Sequence, residues 1–299
     1  MSARCRETPV TALALCRFAH FMAAMLAFGA SAYLWLYAPD NLRRALTPAV
    51  GRLTIGASLV ALISAIVWLS LEAASMADDW SAATDPDTVA TVLTGTSFGH
   101  AWIVRLVLAA ALVLASVFAL RGDWATMSIL SALLLASLAL VGHAAMQTGA
   151  EGILHRANHA LHLLTTGAWL GGLIPFLLCL REYTDDGLRR DAVDAMMRFS
   201  FFGHFVVAAI IATGIVNIAL TSGHPPLPPT TPYRTLLDTK IFIVAAMIAF
   251  AVFNRYGLVP RLTRKHSALA ALRVTSAIEV ALGTVVVALV SVFALLDPA

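Results

Sequence analysis

Long apolar runs separated by short polar breaks dominate the chain. Windows at roughly residues 12 to 37, 53 to 77, 101 to 121, 124 to 143, 157 to 180, 200 to 221, 239 to 259 and 274 to 296 are each long enough to cross a bilayer. The runs are continuous and rich in Ala and Leu instead of alternating in polarity, so they predict helices and not the strands of a barrel. The pattern therefore predicts an all-α, polytopic transmembrane helix bundle of about eight spans, a single unit over residues 1–299. No run is flanked by a segment long enough to form a large soluble domain.

Composition agrees with this. Hydrophobic residues make up 60% of the chain and charged residues 12%, with a mean hydropathy of +0.83, outside the balance of soluble domains. The net charge of +3 is too small to mark a nucleic-acid partner, but its distribution is informative. If the break between the first two spans is cytoplasmic, that side collects Arg43, Arg44, Arg52, Arg121, Arg181, Arg189, Arg190, Arg198, Arg255, Arg261, Arg264, Lys265 and Arg273. The other side holds Arg4, Arg6, Arg156 and Arg234. Positive charge stays inside, so both termini and the loops near 78–99, 144–156 and 222–237 are expected outside. Arg4, Arg6 and Arg17 precede an apolar run ending in Ala30, Ser31 and Ala32, which has the form of a signal peptide. Cleavage there would leave Arg43, Arg44 and Arg52 on the translocated side, so the segment is expected to remain as the first span.

On this topology the histidines crowd toward the outer face. His20 lies near the outer end of the first span, His100 begins the third and His143 ends the fourth. His155, His159 and His162 begin the fifth, and His224 lies in an outer loop. The intervals within 155–162 place three imidazoles on one helical face. Glu72 and Met76 are four apart at the end of the second span, and Met146 follows His143 by three. Imidazole mixed with thioether suits copper better than magnesium or calcium, and Cys5, Cys16 and Cys179 are too scattered for a zinc or iron–sulfur cage. The candidate metal ligands are therefore His20, Glu72, His100, His143, Met146, His155, His159 and His162. Residues 155 and 162 lie on the order of 10 Å apart along a helix axis, so one ion takes at most two neighbours from the ladder, His159 with His155 or His162. His143, His100 or His20 would supply the rest. Ligation needs neutral imidazole, so binding is expected to weaken below about pH 6.

Each residue also has a plainer reading. A lone histidine at a membrane boundary is ordinarily interfacial or bonded between helices, Met22, Met25 and Met76 read as packing, and Cys179 likewise. Arg105 and Lys240 are expected to snorkel toward the interface. Glu279, more than a turn inside the last span, is expected to be paired with a cation such as Arg255 or held neutral. The acidic stretch with Asp78, Asp79, Asp85 and Asp87 reads as a solvated connection.

Three segments together resemble one family: HALHLLTTGAWLGGLIPF at 159–176, RFSFFGHFVVAAIIATGIVNIAL at 198–220 and TPYRTLLDTKIFIVAAMIAFAVFNRYGLVPRL at 231–262. The match covers most of residues 140–290 and is similar to the copper resistance protein D (CopD) family of bacterial inner-membrane proteins. Where that family usually has Gly after Tyr233, Arg234 stands here. The resemblance implies copper homeostasis at the inner membrane, with import the usual assignment and a periplasmic CopC-type copper carrier as partner beside the lipid bilayer. Trp169, Gly171, Gly172 and Pro175 match the family's WLGG signature, whose glycines allow close helix approach. Two alternatives remain open at this level: a haem-binding membrane redox protein of HemJ-like type, and a docking protein whose loop HPPLPPTTP at 224–232 contacts a carrier. Catalysis has no support from a Ser/His/Asp set, a Gly-rich phosphate loop or paired carboxylates, so the chain is not expected to be an enzyme.

Overall fold

Among the described residues, seven helices long and apolar enough to cross a membrane, with a shorter eighth, carry the chain back and forth in the computed structural model. The structure describes residues 4–119, 123–142, 147–222, 231–262, 266–293 and 295–296. The spanning helices are α1 (Arg4–Leu36), α2 (Asp40–Ala77), α4 (Ser97–Ala119), α5 (Trp124–Ala136), α6 (Gly149–Glu182), α7 (Arg189–Ser222), α8 (Pro232–Phe253) and α9 (His266–Phe293). A short helix, α3 (Pro86–Gly95), joins α2 to α4. Among the described residues there is no strand, as the unbroken apolar runs require. The short eighth span is α5, which tightens into a 3₁₀ turn at Ser137–Leu140.

Local chemistry sets the boundaries. Asp123 and Thr231 cap α5 and α8 by accepting from Thr126 N–H at 3.2 Å and Arg234 N–H at 3.3 Å, and Pro232 opens α8, where its missing N–H costs nothing. Arg234 therefore leaves the helix start intact despite its departure from the family pattern. The acidic stretch after α2 is more ordered than a plain connection. Asp79 caps a 3₁₀ turn (Trp80–Ala83) and Asp85 caps α3. The Ser81 hydroxyl and backbone N–H hold the Asp79 carboxyl below the usual carboxylate range, and Thr88 does the same for Asp85.

The helix α1 lies at the centre, packed against α2, α5, α6 and α9. Its contact with α6 is backbone on backbone. A Cβ on Gly29 would stand 2.3 Å from the Gly167 carbonyl oxygen, and one on Gly171 2.1 Å from the Met25 carbonyl oxygen. Small residues let two helices approach this closely. Met25 packs into this seam, and Cys179 is fully buried with its sulfur 3.3 Å from the Tyr33 hydroxyl, both in keeping with a packing role. Basic residues gather at the face away from the N-terminus, with Arg43, Arg44 and Arg52 at the start of α2, Arg189 and Arg190 at the start of α7 and Arg255 and Arg261 after α8.

Candidate metal site

The histidine ladder occupies the first turns of α6, where His162 faces α7 and His155 faces Gln147, just before the helix. His155 is 2% exposed, and its Nδ1 lies 2.8 Å from Gln147 Oε1. The Gln147 amide is itself oriented, because its Nε2 donates to the Leu220 carbonyl at 2.9 Å, which leaves Oε1 to accept from His155. Two turns on, His162 Nδ1 lies 2.9 Å from Thr213 Oγ1. The single Thr213 hydroxyl proton goes to the Ala209 carbonyl at 2.6 Å, so this oxygen too accepts from the ring. Both rings therefore donate from Nδ1, which fixes their orientation as such hydrogen bonds do for ligating histidines. Asn158, between them on the same face, donates to the Thr213 carbonyl at 3.0 Å and to Asn217 Oδ1 at 2.8 Å. The half-buried His159 and the Lys240 ammonium on α8 act electrostatically on His162.

His20 belongs to a separate centre. It is fully buried and faces α2, with Nδ1 at 3.1 Å from the Ala61 carbonyl and 3.0 Å from Ser64 Oγ, whose own proton goes to Val60 at 2.6 Å. His20 is thus also an Nδ1–H tautomer, and its Nε2 has no partner among the described residues. Its surroundings are cationic and aromatic. Trp68 packs edge-on at 5.8 Å, and the guanidinium carbons of Arg17 and Arg105 lie 5.0 and 5.9 Å from the Trp68 ring centre. Arg105 also stacks on Trp102 at 4.2 Å. Arg105 does not snorkel as expected: it is fully buried, donating through Nε to Ser137 Oγ at 3.2 Å and through Nη2 to the Ser137 carbonyl at 2.7 Å. The 3₁₀ turn explains the difference, because Val141 N–H turns to Leu138 instead of Ser137 and the Ser137 carbonyl accepts the guanidinium. Two guanidinium groups beside His20 repel a cation and make this the less favourable place for a metal.

The remaining candidates are dispersed. Glu72 is half-buried and accepts from Trp68 Nε1 at 3.3 Å, within electrostatic reach of Arg17, whereas Met76 is exposed. His100 is exposed and bonds through Nε2 to the Thr94 carbonyl at 3.1 Å. His143, Met146 and His224 lie outside the described residues. Among the described residues, no three His, Cys, Asp or Glu side chains stand together closely enough to enclose an ion. Glu279, 2% exposed, takes its bond from Asn254 Nδ2 at 2.5 Å and not from Arg255, whose Nη1 points to Met197 Sδ at 3.2 Å.

Sequence reading missed Gln147, Asn158 and Thr213. A signal for two of them is present: Asn158 falls three after His155 and four before His162, and Asn217 four after Thr213, so each pair shares a helical face.

The chain matches two family models, the N-terminal domain described as copper resistance protein D-like over residues 7–153 and copper resistance protein D over residues 193–293. It is 36% identical over 284 residues to the inner membrane protein YebZ of Escherichia coli K12, covering 94% of this chain and 97% of that protein. It is 30% identical over 304 residues to copper resistance protein D of Pseudomonas syringae pv. tomato, covering 94% of this chain and 95% of the other. No solved structure matches it. Similarity over nearly the whole of these relatives, together with a bundle of membrane-crossing helices, makes this a multi-pass inner-membrane protein that belongs to the copper resistance protein D family.

Proposed function

We propose that the protein binds copper ions at the periplasmic face of the inner membrane through the start of α6 and moves them inward. The observation that carries this reading is the fixed orientation of the His155 and His162 rings. Each ring gives its Nδ1–H to an acceptor whose own orientation is determined, as a ligating histidine gives the N–H of its other ring nitrogen. Second-shell partners of this kind raise the basicity of a ligating histidine and hold its ring in place. His159 lies between the two, and His143 and Met146 stand four and one residues before Gln147, so these candidates lie close in sequence to the residue that holds His155. Copper is the cargo best suited to imidazole with thioether, and one relative bears the name copper resistance protein D.

The periplasmic assignment rests on charge. Arginines gather at the opposite face, which by the positive-inside rule is cytoplasmic and leaves the α6 histidines outward. Import and delivery by a CopC-type carrier are the directions this reading takes, with the protein acting as a carrier and not as an enzyme. A haem reading has less support: His204, which lines an apolar cavity between α6, α7 and α8, has both ring nitrogens engaged, with the Phe201 carbonyl at 3.1 Å and the Tyr256 hydroxyl at 2.9 Å.

Titrating the purified protein with Cu⁺ and Cu²⁺ against a chromophoric chelator tests the site. The double variant His155→Ala/His162→Ala is expected to lose at least tenfold in affinity, and His20→Ala less than threefold. Full affinity in the double variant, with loss in His20→Ala, would move the site to the α1–α2 centre.

A further inference from the structure

At the end of the bundle away from the histidine seam, α6, α7, α8 and α9 diverge around a cavity of about 390 Å³, within the range of about 300–1,000 Å³ typical of small-molecule sites. The copper reading makes no use of it. Trp169, Phe176, Phe199 and Ile248 are among its lining residues, so its walls are largely apolar and include aromatic rings. Met197, Ile211, Val252 and Tyr256 are exposed at its edge. In a membrane these residues face lipid, and whatever enters between α7 and α8 comes from the bilayer.

The inner end is polar. Ser276 and Glu279 are three apart on α9 and present one face to the cavity, opposite Ser200 on α7. The wall beside them is a π-helical segment, Asn254–Leu258. Asn254 is locked there, accepting from Thr275 Oγ1 at 2.6 Å while donating to Glu279. Ser276 is 1% exposed and makes no hydrogen bond with the other described residues. A buried hydroxyl without a partner is costly, and a plain acyl chain pushed into the cavity would leave it so. An occupant that satisfies this end needs oxygen atoms at its buried tip, a flat body to lie among the rings and an apolar tail to leave through the lipid-facing gap.

We propose that this cavity binds a membrane-soluble quinone, with a ring carbonyl accepting from the Ser276 hydroxyl and the tail passing between α7 and α8. The proposal is independent of the copper reading. It needs no metal and uses none of the α6 histidines.

The probe is decylubiquinone, added to the full chain in phosphatidylethanolamine/phosphatidylglycerol nanodiscs and followed by quenching of tryptophan fluorescence, with Trp169→Phe identifying the signal from the cavity wall. The expected result is saturable quenching that is largely absent in Trp169→Phe. It should also be abolished by Gly203→Phe, a position on the wall where a Cβ meets nothing within 4 Å, so that the new ring fills the cavity without striking the backbone. Ser276→Ala, which removes the hydroxyl and adds no bulk, should weaken binding at least fivefold. It provides the test if Gly203→Phe fails to fold. Quenching that rises linearly without saturating, or that survives both variants unchanged, overturns the proposal. Displacement of a bound native lipid by oleate and not by decylubiquinone overturns it as well and assigns the cavity to acyl carboxylates.

Discussion

Replacing Gly29 by Ala tests the contact on which the position of α6 depends. The added methyl would lie 2.3 Å from the Gly167 carbonyl oxygen and 2.6 Å from both the Cα and the carbonyl carbon of Gly171. Ordinary contact begins near 3.4 Å, and the obstacle is backbone, so no rotamer change relieves it. The two helices must separate by about 1 Å at the crossing, in an interior packed too densely to absorb the shift elsewhere. Overpacking a core costs about 1–3 kcal/mol, and a clash with backbone on three atoms belongs at or above the upper end, about 3 kcal/mol. Gly56→Ala on α2 is the control, since its Cβ meets nothing within 4 Å and Ala is the better helix former by up to about 1 kcal/mol. Unfolding in mixed micelles with increasing SDS fraction measures both. Gly29→Ala should be destabilised by about 3 kcal/mol and Gly56→Ala not at all. If Gly29→Ala falls within about 0.5 kcal/mol of its parent, the α1–α6 backbone contact is not what positions α6.

Other outcomes follow from the seam, the topology and the caps. Gln147→Leu removes the acceptor that holds His155 Nδ1–H and should lower copper affinity about 10–100-fold without changing stoichiometry, read by the same chelator competition. A reporter active only in the periplasm should be active when fused after Ala299 and silent when fused near Thr263; the reverse pattern would put the α6 histidines on the cytoplasmic face. Asp85→Ala should fray α3, seen as faster amide exchange at Thr88, while leaving α4 protected. Because Thr88 holds the Asp85 carboxyl below its usual range, the cap is complete above the ordinary carboxylate pKa and is lost only as pH falls through the lowered folded value. The effect of Asp85→Ala should accordingly be the same at pH 5 and pH 8, and an effect that shrinks between them would show that the carboxylate is not the cap.

The apolar runs were enough to find every span, because a spanning helix must be apolar along its length whatever it packs against. They could not show which neighbour each polar residue meets. His20 and His162 look alike in sequence, each near the same end of its span, yet one turns to Ser64 and two arginines and the other to Thr213. That choice depends on helix rotation, which is set by the close fit at Gly29, Gly167 and Gly171 and not by the pattern around either histidine. Arg105 was misread for a related reason. Snorkelling assumes an ordinary helix alongside, and the 3₁₀ turn at Ser137 that supplies its acceptor has no signature in the run SLAL. The cap at Asp85 was readable, since Asp followed by Pro is a helix start by local chemistry alone.

The two family models end at residue 153 and resume at 193, so nearly all of α6 lies between them, joining the half that holds the arginine–tryptophan centre to the half that holds the cavity. Close contacts hold it on three sides: Gly167 and Gly171 against α1, a Cβ on Gly172 2.6 Å from the Phe199 ring on α7, and Leu170 against Gly283 on α9. A ladder carried on so constrained a helix is preorganised, which is what a metal site requires of its scaffold. The same constraint limits where cargo can go. On the α1 side it meets backbone packed on backbone. On the α7 side Thr213 leads past Ile210 to Trp169 and Ile211, where the wall of the cavity begins. Under the transport reading, the α1 face of α6 is therefore closed to an ion leaving the histidines, because backbone meets backbone there.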